Sequence, residues 1–226
     1  MARNVAILSA SAMLLTISVF VAAENPGNEL TVAGFEAYPN NLGGELGVHG
    51  SLEANWQDQE APFSWYYTPE TPGYKKENVF SGDRSFRLVN ARGSKPDETW
   101  GSFGVDLGPT VDSSVVPKRI RPLDVSGYKF LTFWVKGEKG GEHIELVFRD
   151  SHAPDYMPQI KIKVADATSE WQRIVIPLDK ISNQVDLTSL VLIGFAFGND
   201  VGNPPGGTIY LDNIAFTNEP GKGVLN

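Results

Sequence analysis

The chain has 226 residues with 19 basic and 27 acidic side chains, a formal net charge of −8, and no cysteine. An acidic chain without a clustered basic face argues against nucleic acid and anionic membrane as partners, and leaves neutral sugars and divalent cations open. Without cysteine there is neither a disulfide framework nor a lipid-modified N-terminus, so stability rests on an ordinary core or a bound ion.

The first twenty-three residues read as a secretory signal: Arg3 gives a positive start, Val5 to Val21 is almost wholly apolar, and Val21-Ala22-Ala23 offers a small-residue cleavage site before Glu24. Cleavage after Ala23 predicts a secreted or periplasmic protein; the apolar run also has about the length of an uncleaved anchor. Removal of the leader takes Arg3 and no acid, leaving 18 basic residues against 27 acidic ones, a net charge of −9. No second apolar stretch of that length follows, so no membrane contact is expected after cleavage. Residues 24–226 are long enough to bury a core as one domain.

The remaining elements follow in chain order. Leu30 to Glu36 reads as a first strand, with Phe35 apolar but out of phase with Leu30 and Val32, which places a bulge near Gly34. Asn40 to Gly50, NNLGGELGVHG, is glycine-rich and predicts a structured loop or irregular strand. Its GGELG lacks the spacing and the following helix of a dinucleotide fingerprint.

From Ser51 to Trp100 the chain is dense in rings, among them Trp56, Phe63, Trp65, Tyr66, Tyr67, Tyr74, Phe80, Phe86 and Trp100. Flat aromatic faces stack on the C–H face of a pyranose, so this composition suits a sugar platform built on at least one ring, although any single ring is more often a core or loop anchor. Phe80 to Asn90 holds a turn at Ser81–Arg84 and then a strand with Phe86 and Leu88 on one face; Trp100 to Leu107 is another strand. Pro109 to Pro122 is the clearest long loop, but neither half of the chain has enough strands to close a sheet alone.

The second half alternates regularly. In Lys129–Lys136, Leu131, Phe133 and Val135 face one way and Phe130, Thr132, Trp134 and Lys136 the other, so Trp134 points out of the core. In His143–Asp150, Ile144, Leu146 and Phe148 face inward and Glu145, Val147 and Arg149 outward. If these two strands pair, Trp134, Glu145 and Arg149 share an outer face, as a sugar site or as a salt bridge beneath a loop. Asp150, His152, Asp155 and Tyr156 form a further polar cluster in the loop RDSHAPDY. Gln159–Val164 and Trp171–Pro177 are strands, Leu178–Ser182 a single helical turn, and Leu190–Phe197 a central strand. In the closing GTIYLDNIAF, Gly207 to Phe216, Ile209 and Leu211 share a face that Ile214 and Phe216 continue only through a one-residue slip at Asp212–Asn213. About ten short strands and no sustained helical period after the leader predict an all-β, antiparallel β-sandwich.

The Phe35-Glu36 pair, NNLGG, GDRSFRLV, DVSGYKFLTFWVKGEKGGEHIELVFRD, EWQRIVIPLD and GTIYLDNIAF resemble the carbohydrate-binding-module-like β-jelly rolls of the galactose-binding-domain type, over essentially all of residues 24–226. The resemblance implies a non-catalytic module that binds polysaccharide or oligosaccharide. It also implies a structural calcium at the junction of first and last strands, held by Glu36 and Asp212 with carbonyls of the turn at Ser81–Ser85; Asn213 stands where many relatives have a second Asp. Hard oxygen donors suit that ion. Without the family, the same acids read as strand-end carboxylates or as partners of Arg84 or Arg87. Related modules bind sugar on the concave sheet or in the loops at one end, and no motif here fixes which; the candidates are Trp134, Arg149 and Glu145 for the concave face and Trp56, Trp65, Tyr66 and Trp100 for a loop or rim platform.

Other classes are weaker. Asp97, Glu98, Asp150 and Asp155 could furnish a glycosidase pair, but nothing singles two of them out. There is no nucleophile-elbow serine, no HExxH, and histidines 49, 143 and 152 lack metal-ligand spacing. A sandwich that engages other envelope proteins is the alternative to glycan binding.

Overall fold

The computed structural model describes residues 27–50, 52–53, 66–91, 97, 99–154 and 158–225. The leader, Trp56, Trp65, Asp155 and Tyr156 lie outside them. Among the described residues no helix is long and apolar enough to cross a membrane.

Two sheets face each other across one apolar interior. The eight-stranded sheet runs β15 (Val224–Leu225), β12 (Gln172–Pro177), β9 (Phe130–Gly137), β14 (Thr208–Thr217), β5 (Ser85–Asn90) and β3 (Leu52–Glu53), with β1 (Glu29–Ala33) added on β14 and β4 (Tyr66–Tyr67) on β5. The five-stranded sheet runs β11 (Ile160–Lys163), β10 (Glu145–Asp150), β13 (Leu190–Ala196), β6 (Gly101–Asp106) and β2 (Leu46–Gly50). Within these sheets every pair is antiparallel except β12 with β15. The expected antiparallel β-sandwich is the fold observed.

Period-two alternation explains the core. Leu131, Phe133 and Val135 of β9, Leu146 and Phe148 of β10, and Ile193 and Phe195 of β13 are all buried in one cluster. Rings bridge the sheets: Phe86 stacks on Phe103 at 4.1 Å between centroids, Phe103 lies 5.8 Å from Phe195, and Phe195 meets Phe133 edge-on at 5.2 Å.

Three expectations are corrected. The stretch 109–122 is not a bare loop but carries a small hairpin, β7 (Thr110–Asp112) with β8 (Arg119–Ile120); its strands are too short for alternation to betray them. Tyr66 is not a rim ring. It is 1% exposed, packs on Phe35 and Phe86, and donates its hydroxyl to the Ala37 carbonyl at 2.7 Å, because β4 pairs with β5 and turns Tyr66 inward beside Phe86. Finally, β9 and β10 do not pair: β9 lies between β12 and β14, and β10 between β11 and β13 in the other sheet. Trp134 and the pair Glu145 and Arg149 are therefore on opposite outer faces, a consequence of a topology that short-range patterning does not encode.

Candidate functional site

The outer face of the five-stranded sheet is set by the residues between its core side chains. Opposite Phe103 and Val105, β6 presents Ser102, Gly104 and Asp106; opposite Ile193 and Phe195, β13 presents Leu192, Gly194 and Ala196; β10 presents Glu145, Val147 and Arg149. Register aligns these into rows. Gly47, Gly104, Gly194 and Val147 are successive partners across β2, β6, β13 and β10. One flank is Ser102, Ala196 and Glu145, extended by Lys163; the other is Asp106, Leu192 and Arg149.

At Gly47 and Gly104, both half-buried, the glycine row leaves a shallow trough in the middle of this face, whereas Gly194 is buried beneath Val147. The Val147 and Leu192 side chains lean over Gly194: an added Cβ there would collide with Val147 Cγ2, whereas at Gly104 it would sit 3.5 Å from Leu192 Cδ1. Backbone-level floors of this kind let a flat ligand approach the sheet closely.

Charged groups border the trough. Asp106 is buried and paired with Lys118 at 2.9 Å, and Lys118 also reaches Glu45 at 2.6 Å, so the β7–β8 hairpin anchors one end. Burial pushes the Asp106 carboxyl up from its usual range, against the pull of the Lys118 ammonium and the Arg149 guanidinium. Arg149 is 7% exposed and Glu145 half-buried. Trp100, one residue before β6 and in sequence phase with Ser102 and Gly104, is 51% exposed, a large ring held open at the other end.

The polar loop beside this face is organised by Asp150. A register shift between Arg149 and Asp150 turns its side chain away from the row. It accepts the amides of His152 at 2.8 Å and Asp186 at 2.7 Å, while its own amide donates to Gln159 Oε1 at 2.6 Å. Although burial pushes this carboxyl up, those donors and the nearby His152 hold it below the usual aspartate value.

On the opposite outer face, Trp134 stacks on Phe80 at 3.7 Å with an interplanar angle of 16°, and Phe80 meets Trp171 edge-on. The indole is thus half covered by the chain rather than open.

The remaining predicted residues meet at a junction within the larger sheet. One edge of β14 is shared: β5 pairs with Thr208–Leu211 and β1 with Ile214–Thr217, which leaves Asp212 and Asn213 between them. Opposite β9, the register shifts by one residue between Asp212 and Ala215, and Asn213 has φ 46°, the bulge that the apolar phase required. Asparagine tolerates that left-handed conformation. The bulge in β1 falls between Thr31 and Ala33, slightly earlier than expected, and the positive φ of 59° is at Phe35.

The gap is filled by the turn before β5. Asp212 Oδ2 accepts the amides of Phe80 and Ser81, both at 3.1 Å, Oδ1 accepts that of Asn213 at 2.8 Å, and Asn213 Nδ2 donates to Ser81 Oγ. Glu36 Oε1 accepts the amides of Asp83 and Arg84 at 3.0 and 3.1 Å. Gly82, at φ +63°, leaves room that a Cβ would take from Glu36 Oε1. Asp212 is fully buried, and desolvation, aided by Glu36 and opposed by the three amides, raises its carboxyl to about 6. Among the described residues no ion pair reaches either acid, and no third acid or histidine joins them in a cluster.

Of the predicted ligand residues, the structure brings Glu145, Arg149 and Trp100 to the five-stranded face and Trp134 to the other, while Tyr66 is core. The glycine row, Ser102 and Asp106 were missed. Alternation alone would have put Gly104 and Gly194 outward, but only strand order aligns them.

The two-sheet antiparallel sandwich is the fold of a β-jelly-roll domain. The chain belongs to carbohydrate binding domain family 30, whose model matches residues 41–218. It is similar in fold to the family 30 carbohydrate-binding module of the cellulosomal cellulase Cel9D-Cel44B of Clostridium thermocellum, with TM-score 0.50 and 24% identity over 84% of this chain and 98% of that one. A second family 30 module structure aligns with TM-score 0.52 and 22% identity over 84% and 99%. No curated protein matches the chain.

Proposed function

We propose that this carbohydrate-binding module is non-catalytic, acts outside the cytoplasm after loss of its leader, and holds a polysaccharide or oligosaccharide along the trough of the five-stranded sheet. The observation that carries the site is the in-register row Gly47, Gly104 and Gly194, at backbone level over β2 and β6 and closed at β13 by Val147, with hydrogen-bonding groups on both flanks. Glu145 and Asp106 accept sugar hydroxyls and Arg149 and Lys163 donate to them. The exposed Trp100 ring supplies a stacking surface at the rim. The flanking acids are not arranged as a hydrolytic pair: Asp106 is tied to Lys118 at 2.9 Å and Glu145 lies on the opposite flank.

The same reading gives the Glu36–Asp212 junction a structural calcium. Its support is chemical: two carboxylates, one of them fully buried and pushed up by burial and by its neighbour, with no ion pair to either among the described residues, the Arg84 guanidinium reaching only the Glu36 carbonyl at 3.4 Å. A divalent cation bound there would keep both acids ionised.

Affinity electrophoresis on soluble neutral polysaccharides (β-glucan, galactomannan, xylan) tests the trough. Wild type is retarded on at least one; Gly104→Trp, which fills the floor, lowers retardation strongly, and Trp100→Ala weakens binding by about tenfold, roughly 1.4 kcal/mol. Trp134→Ala leaves retardation unchanged. Retention of full binding in Gly104→Trp with loss in Trp134→Ala would move the site to the other face.

A further inference from the structure

The larger sheet carries, on its outer face, a cleft of about 670 Å³ that the trough does not use. That volume lies within the range of small-ligand sites, about 300–1,000 Å³. Its floor is another row in register: Arg87 of β5, Tyr210 of β14 and Lys136 of β9 are direct partners. One wall is the strap that follows β4, the other the turn around Ser169 and Glu170 together with Glu138.

The strap is held rather than loose. The Tyr67 hydroxyl donates to the Gly73 carbonyl at 3.2 Å and accepts the Lys75 amide at 2.7 Å. Further along, the Glu77 carbonyl accepts both Trp171 Nε1 at 3.0 Å and Lys136 Nζ at 3.1 Å. Tyr67 stacks on Tyr74 and meets Tyr210 edge-on, each at 5.1 Å, so the wall is packed onto the floor. A preformed wall lowers the ordering cost of a ligand.

The charges lining the cleft are balanced and yet not joined. Lys75, Arg87 and Lys136 face Glu77, Glu138 and Glu170. Among the described residues none of these six forms an ion pair with another, and the three carboxylates accept no hydrogen bond. Arg87 instead lies against the Tyr210 hydroxyl. Groups of both signs that surround a space without bridging it suit a neutral ligand whose hydroxyls each donate to a carboxylate and accept from a cation. An anion would meet three carboxylates, and a cation three basic groups.

We infer that the cleft over Arg87, Tyr210 and Lys136 is a second binding site for a neutral, hydroxyl-rich ligand, a short oligosaccharide, on the face opposite the trough. The ligand class rests on the proposed function; the location does not. With sites on both outer faces, one module engages two glycan chains at once and links them.

Isothermal titration of the full chain with cellotetraose, mannotetraose and tetragalacturonate, in wild type and three variants, tests this. Ser169→Trp blocks the exposed wall, Arg87→Gln removes the floor cation, and Gly104→Trp blocks the trough; circular dichroism checks that each is folded. Two sites for a neutral tetrasaccharide are expected in wild type, one of them weakened at least tenfold by Ser169→Trp and by Arg87→Gln, the other by Gly104→Trp. A single site unaffected by Ser169→Trp and lost in Gly104→Trp overturns the second site and leaves the trough intact. A single site lost in Ser169→Trp and kept in Gly104→Trp overturns the trough and keeps the cleft. Cleft binding of tetragalacturonate alone overturns the neutral ligand class, and binding of none of the three overturns both sites.

Discussion

Asp150 and Asp212 are both buried aspartates in a β-sandwich, and their surroundings set them apart. Asp150 sits among the amides of His152 and Asp186, near an imidazole, and its carboxyl is held low despite burial. Asp212 has three amide donors, but deep burial, aided by the neighbouring Glu36, outweighs them and its carboxyl is raised. For Asp150 the consequence for stability has a definite sign. A folded-state value below the unfolded one, about 3.9, contributes stability that is fully present above that pH and is lost as pH falls through the folded value. Urea unfolding from pH 7 to pH 2 should therefore show an acid-side loss in wild type that is reduced in Asp150→Asn, with the variant about 1.5–3 kcal/mol less stable at neutral pH for the lost charge-assisted bonds. An equal acid-side slope in both would remove Asp150 from that role. The role of Asp150 was not visible in the sequence, where it belonged to a loop cluster, whereas Asp212 stood out by breaking the apolar phase of its strand.

Strands were the most legible elements. Alternation located β9, β10, β11, β12 and β14, and a mostly apolar run located β13, to within a few residues, because each packs a face against the core. Short β3, β4, β7 and β8 were not foreseen, since two or three residues carry no period. The trough is an element-scale property too, and its glycines are not equivalent. Gly194→Ala should cost about 1–3 kcal/mol, since the new methyl displaces Val147 from a packed position, and should weaken glycan binding by raising the floor. Gly104→Ala, whose Cβ meets only an ordinary contact with Leu192, should leave the urea midpoint within about 0.5 kcal/mol of wild type. Equal costs at the two positions would mean that the row is not shaped by Val147.

Across the whole molecule, β14 is the hinge of the design: its two edges join β9, β5 and β1, so the Glu36–Asp212 junction ties the start of the domain to its last long strand. Melting with excess calcium and with chelator measures what an ion adds there. At a hundredfold excess over its dissociation constant the gain is about 2.7 kcal/mol, some 5–10 °C for a domain of this size, and Asp212→Asn should abolish the difference. Identical melting in both conditions would leave the amides of the 80–84 turn as the sole tie. The sequence by itself determined the fold class, the bulge at Asp212–Asn213 and which side of each long strand is apolar, because alternation and phase are local consequences of burying one face. Only the tertiary structure decided which strands are neighbours, and with them that Glu145 and Arg149 flank a trough, that Trp134 lies under Phe80 on the opposite sheet, and that Tyr66 is core. Strand order is settled by the packing of the entire sandwich, and no short window of residues carries it.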